Sequence, residues 1–156
     1  YYYPTDKKWE HGGAIEKAMG AMGMFGRKEQ LGTKGFRNSG ADWLKLYKPY
    51  INNGKTVVSH AHKVYGPETN DMILQLRKRG ISKIILAGMS ANLCTEAHMR
   101  EFMEQGFEVQ VVSDATAAAQ VPGLDGYAAA MTNARFIANS VRTTTQTVEQ
   151  INKEYK

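Results

Sequence analysis

Ile84-Ile85-Leu86-Ala87-Gly88-Met89-Ser90-Ala91-Asn92-Leu93-Cys94-Thr95-Glu96 is the stretch whose reading decides the fold. Lys83–Ala87 is a short apolar, β-branched run closed by Gly88, the pattern of a buried strand. A helical pattern then opens at about Cys94 and runs to Gln105, where Gly106 stops it. The next run, Glu108-Val109-Gln110-Val111-Val112-Ser113, again reads as a strand. Strand, helix, strand over thirty residues is one βαβ unit, and it requires the two strands to be parallel.

The same alternation extends in both directions. Upstream, Asn52-Asn53-Gly54 signals a turn before Lys55-Thr56-Val57-Val58-Ser59, read as another buried strand. A helix follows with Met72, Ile73, Leu76 and Ile81 along one face, Thr69 or Asn70 as its cap and Gly80 as its stop. Downstream, a loop with Pro122 and Gly123 leads to a helix from about Asp125 to Asn139, carrying Tyr127, Ala130, Met131, Ala134, Phe136 and Ile137. A short strand near Val141 and a terminal helix from Thr147 close the chain. The expected fold is therefore α/β: a doubly wound, Rossmann-like parallel sheet with helices on both faces, in three layers. The N-terminal part is less regular. A helix-like run, Ala14 to Met19, follows Gly12-Gly13, and Gly26 to Gly40 reads as a long loop, either a lid or a surface excursion. We expect a single domain over 1–156, with a variable region over 1–49 and the core βαβ units over 50–156.

Composition bounds the function. The chain has 156 residues, 42% hydrophobic and 22% charged, which excludes a disordered tail, a collagen-like fibre and a coiled-coil rod. It has no run of eighteen apolar residues and no export signal at Tyr1-Tyr2-Tyr3-Pro4, so a cytoplasmic protein with no membrane partner is expected. Twenty Lys and Arg against fifteen Asp and Glu give a net charge of +5. The excess is scattered over Lys7-Lys8, Arg27-Lys28 and Arg77-Lys78-Arg79 with no stripe, so no nucleic-acid partner is expected, and a mild preference for small anions remains. No Gly-x-Gly-x-x-Gly follows a strand, which leaves no sign of a nucleotide cofactor.

In a parallel sheet, ligands sit beyond the carboxyl ends of the strands. The residues there are His60-Ala61-His62-Lys63, then Met89 to Cys94, then Asp114. Cys94 is the only cysteine, so it cannot form a disulfide within the chain or build a structural zinc site alone. Its place on a strand, tight turn and helix resembles a nucleophile elbow, where helix N-terminal amides favour a thiolate and can hold an oxyanion. The alternative is a small buried hydrophobe. Lys63 is either a solvated charge or an ammonium that lowers the thiol pKa. Asp114, before Ala115-Thr116-Ala117, reads as a turn or helix cap rather than a third catalytic group. His60 and His62 share a face at metal-pair spacing, but no further ligand cluster accompanies them, so no metal is expected. Tyr65, Met89, Leu124 and Tyr127 are the apolar and aromatic side chains placed to line a pocket for a small molecule, which Trp9 and Tyr3 could close.

The run from Leu86 to Glu96, then Gly106-Phe107-Glu108-Val109, then Val111-Val112-Ser113-Asp114-Ala115-Thr116-Ala117-Ala118, resembles the isochorismatase-like cysteine hydrolase family. Lys63-Val64-Tyr65-Gly66-Pro67-Glu68-Thr69-Asn70 looks like the family's lysine loop. The likeness runs from about Tyr50 to the C-terminus, with a looser one at Tyr3-Pro4-Thr5-Asp6 and Trp9. The resemblance implies Cys94 as nucleophile on an amide or ureide carbonyl, a thioester intermediate and Lys63 as its electrostatic partner. It also implies an oxyanion hole of the Ser90 and Cys94 amides beside a cis Met89–Ser90 peptide, and a homo-oligomer. Cysteine at position 94 favours the amidase branch over the vinyl-ether-cleaving isochorismatases.

One departure stands out. The family's general base is an aspartate at the end of an N-terminal strand, and nothing before Tyr50 has that form: Asp6 and Asp42 do not follow strands. Relative to the family, the first strand, the next helix and most of the second strand are missing. We expect the sequence to be part of a longer polypeptide. The alternative is an incomplete, non-catalytic member that binds a small molecule or a partner subunit.

Overall fold

The computed structural model describes residues 42–59, 62 and 65–155, with positions 13, 14, 17 and 21. The chain divides into two units, Tyr1–Val58 and Ser59–Lys156. In the first, Ala14, Lys17 and Ala21 are helical, in keeping with the helix-like run read there. Helix α1, Lys48–Ile51, has a proline in its first turn, where the missing N–H costs nothing.

Lys55–Ser59 is not the strand its composition suggested. None of these residues is in a strand, and Val57 and Val58 are exposed. The cause lies just upstream. Asn53 Oδ1 accepts the N–H groups of Lys55 and Thr56, both at 2.8 Å, and the Thr56 hydroxyl donates to the Tyr50 carbonyl at 2.7 Å. The side chain of Asn53 thus takes two donors that a ladder would have used. A β-branched run reports fitness for a pleated surface, not the presence of a partner strand.

The second unit begins its regular structure with a 3₁₀ turn, Pro67–Thr69, and helix α2, Met72–Lys78. Strand β1 (Lys83–Met89) leads through the turn Ala91–Thr95 into α3 (Glu96–Glu104) and then β2 (Glu108–Ala117). A small hairpin, β3 (Gln120–Val121) and β4 (Leu124–Asp125), precedes α4 (Gly126–Ile137), β5 (Ser140–Arg142) and α5 (Thr144–Glu154). Two helix ends show why the sequence stops where it does. Gly80, at φ +64°, closes α2 with Gly80 N–H on the Arg77 carbonyl and Ile81 N–H on that of Leu76. Gly106, at φ +82°, repeats this on Met103 and Phe102. Both are six-to-one caps that only a residue at home with positive φ makes cheaply.

The sheet is parallel in the order β1-β2-β5, with Lys83 opposite Glu108 and Gln110 opposite Ser140. Val109 and Val111 face a core of Met99, Phe102, Phe107, Ala130, Met131 and Ala134, against which Met72, Ile73 and Leu76 of α2 pack. The intervening Gln110 turns the other way and donates to Thr147 of α5 at 3.0 Å. Helices α2, α3 and α4 therefore cover one face and α5 the other: an α/β fold in three layers, as the alternating pattern required. Val109, with no exposed surface, marks the centre. Among the described strands, β1 is at the edge. No described helix is long and apolar enough to cross a membrane.

The register between β1 and β2 shifts: Leu86 lies opposite Val111, but Gly88 lies opposite Thr116. Extra residues of β2 loop out and are closed by the Thr116 hydroxyl on the Val112 carbonyl at 2.7 Å. Opposite this irregularity Gly88 sits at φ +134°, a conformation that excludes most side chains. The strand read as ending at Ser113 therefore runs on to Ala117, with Asp114 on the bulge.

Candidate active site

The site grows from the end of β1. The peptide bond between Met89 and Ser90 is cis. The chain then folds back on the Ser90 carbonyl, which accepts the N–H groups of both Leu93 and Thr95 at 3.1 Å. The second of these spans five residues, and the Glu96 N–H reaches back equally far to the Ala91 carbonyl, so Ala91–Thr95 is a π-helical turn. Such widened turns are frequent at functional sites. Cys94 lies within it, flanked by buried Ala91 and Thr95, and is itself only 7% exposed.

This is the strand, turn and helix arrangement read from the sequence, with one correction. The α-helix starts at Glu96, not at about Cys94, because the Leu93 and Thr95 amides are already committed to Ser90. They are not idle helix-terminal donors waiting for an anion.

Three residues that the sequence reading did not single out, His98, Glu96 and Gly126, hold this turn. His98 Nδ1 lies 2.7 Å from the Cys94 carbonyl oxygen. Glu96 Oε1 receives Arg100 from its own helix, at 2.8 Å, and Asn133 of α4, at 3.0 Å, which fastens α3 to α4. Gly126 opens α4 where a Cβ would stand 2.8 Å from Asn92 Oδ1 and 2.9 Å from the Ala119 carbonyl oxygen. Its missing side chain is what lets α4 approach the cysteine turn. Position i+4 from Cys94 was the available signal for His98, and a glycine directly after a capping aspartate was the signal for Gly126.

Ser90, Cys94 and Met89 share the turn, and Met89 is exposed. Tyr65 is half-buried, two residues before Pro67. Tyr127, in the first turn of α4, packs against the core and donates its hydroxyl to the Ser113 carbonyl at 3.2 Å. Leu124 is exposed on the hairpin. Asp114 is a cap, but of a distant helix: its carboxylate binds Thr144 at the start of α5. His62 stands edge-on to His98 with ring centroids 5.0 Å apart. Burial is the largest of the causes that pull its pKa from 6.5 down to about 4. Lys63, His60, Trp9 and Tyr3 lie outside the described residues.

Behind the turn, between Ala91, Thr95, Val111, Thr116 and Met131, the free volume is about 10 Å³, no more than one water requires. A separate cleft of about 410 Å³, lined by Arg135, Arg142, Thr143 and Gln146 among others, opens at the start of α5 and includes no residue of the cysteine turn.

Comparison with known proteins gives a consistent picture. Residues 8–147 match the family described as the isochorismatase domain. An uncharacterised isochorismatase family protein of Escherichia coli O157:H7, YecD, is 45% identical over 49 residues, which is 31% of this chain and 26% of YecD. The matched stretch thus spans about a quarter of that curated relative. Among solved structures, a cysteine hydrolase from Pseudomonas syringae pv. phaseolicola superposes at a TM-score of 0.65 with 18% identity, covering 98% of this chain and 70% of its own. A pyrazinamidase/nicotinamidase from Streptococcus mutans gives 0.57 with 19% identity, covering 82% and 70%. At such identities these two likenesses speak for the fold alone.

Proposed function

From a chain that belongs to the isochorismatase family, we propose a cysteine-dependent hydrolase acting on a small amide or ureide C–N bond. The single observation that carries this reading is the placement of the chain's one thiol, Cys94, on the tight turn that follows the cis Met89–Ser90 bond at the end of β1. The names of the solved neighbours, a cysteine hydrolase and a pyrazinamidase/nicotinamidase, point the same way.

In this reading the Cys94 sulfur attacks the substrate carbonyl carbon, and the proton it loses ends on the departing nitrogen. The carbonyl oxygen becomes an oxyanion held by the Ser90 and Cys94 amides, with the Lys63 ammonium offsetting the charge. The C–N bond breaks, the nitrogen leaves with a proton as ammonia or an amine, and a Cys94 thioester remains. Water then attacks the thioester, giving the carboxylic acid and returning the thiol. Met89, exposed beside the turn, and Tyr65 and Tyr127 on the flanking segments supply apolar contacts to the substrate. We place the protein in the cytoplasm as a homo-oligomer.

The burial of Cys94 favours a second reading, a non-catalytic member that binds a small molecule or a partner subunit. Release of ammonia or amine from a panel of primary amides and ureides separates the two. Turnover that Cys94→Ala abolishes supports the hydrolase; no turnover on any member supports the binding protein. Conversion of isochorismate that survives Cys94→Ala would instead mark a vinyl-ether hydrolase.

A further inference from the structure

The peptide that joins Cys94 to Thr95 is gripped at both ends. Its carbonyl oxygen is 2.7 Å from Nδ1 of His98, and its N–H donates to the Ser90 carbonyl at 3.1 Å. A carbonyl can only accept, so His98 Nδ1 carries the proton and, in the neutral ring, Nε2 holds the lone pair. Donation to one end of a peptide polarises it and strengthens the bond made by the other end.

The His98 ring is in turn seated from two sides. It meets His62 edge-on at 5.0 Å and Phe102 at 5.8 Å between centroids. Phe102 is buried in the core and meets Phe107 at 5.9 Å, and the Arg77 guanidinium caps that ring at 4.1 Å. A line of ring contacts thus runs from the core to the imidazole, and from there one hydrogen bond reaches the backbone of the cysteine. A peptide plane held at both ends restrains ψ of the residue before it, and with it the direction of that residue's side chain relative to the held plane.

We infer that His98 is a positioning residue for Cys94: it locks the Cys94–Thr95 peptide plane so that the thiol and Ser90 keep one relative orientation, and His62 seats the ring that does so. The inference rests on the reading of Cys94 as the nucleophile. It gives a role to two histidines that stand outside the bond-making steps.

Two substitutions isolate the hydrogen bond from the ring's bulk. His98→Leu keeps volume and loses the donor; His98→Asn places an amide N–H near the Nδ1 position. The readout is the rate of Cys94 alkylation by iodoacetamide across pH, followed by intact mass, which needs no substrate. His98→Leu should slow alkylation by about tenfold or displace its pH profile, and His98→Asn should bring both back to near the wild-type values. Thermal melts of all three proteins show whether the fold is kept. Equal rates and profiles in the wild type and His98→Leu, or in the two variants, overturn the inference even if amides are hydrolysed. Alkylation that follows the expected order in a protein that hydrolyses no amide leaves the inference standing and removes the hydrolase reading.

Discussion

The carboxylate of Asp114 receives both the backbone N–H of Thr144, at 2.7 Å, and its hydroxyl, at 2.8 Å. One residue on the bulge of β2 thereby holds the first turn of α5, thirty positions further on, and the helix presses its Thr147 onto the same strand. The negative charge also sits where the positive end of the helix dipole favours it.

That bond makes a pH prediction. Donation from the Thr144 hydroxyl and N–H holds the Asp114 carboxyl below its ordinary value of 3.8. A carboxylate whose pKa falls on folding adds stability that is present above the unfolded value and lost as pH drops through the folded one. Asp114→Ala should therefore melt earlier than the wild type at neutral pH, and the gap should close below pH 3.8. Parallel melting curves with a gap constant down to pH 2.5, about a unit lower, would show that the charge contributes nothing.

Gly126→Ala should destabilise the protein although alanine is the better helix former. The added Cβ would stand 2.8 Å from Asn92 Oδ1 and 2.9 Å from the Ala119 carbonyl oxygen, the second of which is backbone and cannot swing away. The expected cost is about 1–3 kcal/mol, the usual range for overpacking. Adding Asn92→Ala removes one of the two clashes and should recover part of it. Urea denaturation of the single and double variants decides, and a Gly126→Ala protein as stable as the wild type would mean that α4 is free to shift away from the cysteine turn.

His62 should stay neutral well below the range of an ordinary histidine. Its pKa is lowered from 6.5 to about 4, with burial the largest cause. In that window the unfolded chain binds a proton that the folded chain does not, so stability must fall as pH falls from 6.5 toward 4. A titration of the His62 ring protons by NMR tests the premise directly, and a midpoint near 6.5 would sink it. With the midpoint confirmed, His62→Phe should flatten the decline.

How much of this was legible before any coordinates depended on how local the deciding forces are. The stops at Gly80 and Gly106 could be read because an αL cap needs a glycine within one residue of the end. Asp125 as a helix start was equally readable, and its side chain does accept the Ala128 N–H at 2.9 Å. The Lys55–Ser59 strand failed because a single side chain, Asn53, outbid a five-residue propensity for the backbone donors. The extension of β2 to Ala117 rests on pairing with β1 across a register shift, which no periodicity of β2 encodes. The place of Cys94 on the turn after β1 was readable because an apolar run closed by glycine and a following helical pattern stand next to each other in the sequence. His98 was not, because a side chain that back-bonds to its own helix looks in sequence like any other half-buried histidine.

The buried bond between Gln110 and Thr147 tests whether α5 is fastened to its face of the sheet by polar groups as well as by packing. Gln110 Nε2 donates to Thr147 Oγ1 at 3.0 Å, while its Oε1 accepts the Ser140 hydroxyl at 3.1 Å, so one side chain joins β2, β5 and α5. The Thr147 hydroxyl donates onward to the Thr143 carbonyl at 2.8 Å. Thr147→Val keeps the shape and removes the acceptor, which strands a buried amide N–H at a cost of about 1–3 kcal/mol. Replacing both partners, Gln110→Leu with Thr147→Val, leaves no stranded amide N–H, and the loss of the Ser140 bond is common to the Gln110→Leu single variant, so the double variant should be less destabilised than the two single losses added together. Urea unfolding of the four proteins of this cycle measures the difference, expected at about 0.5–3 kcal/mol for residues in direct contact. Strict additivity would mean that water already reaches Gln110 and that α5 is held to the sheet by its apolar contacts and the Asp114 cap alone.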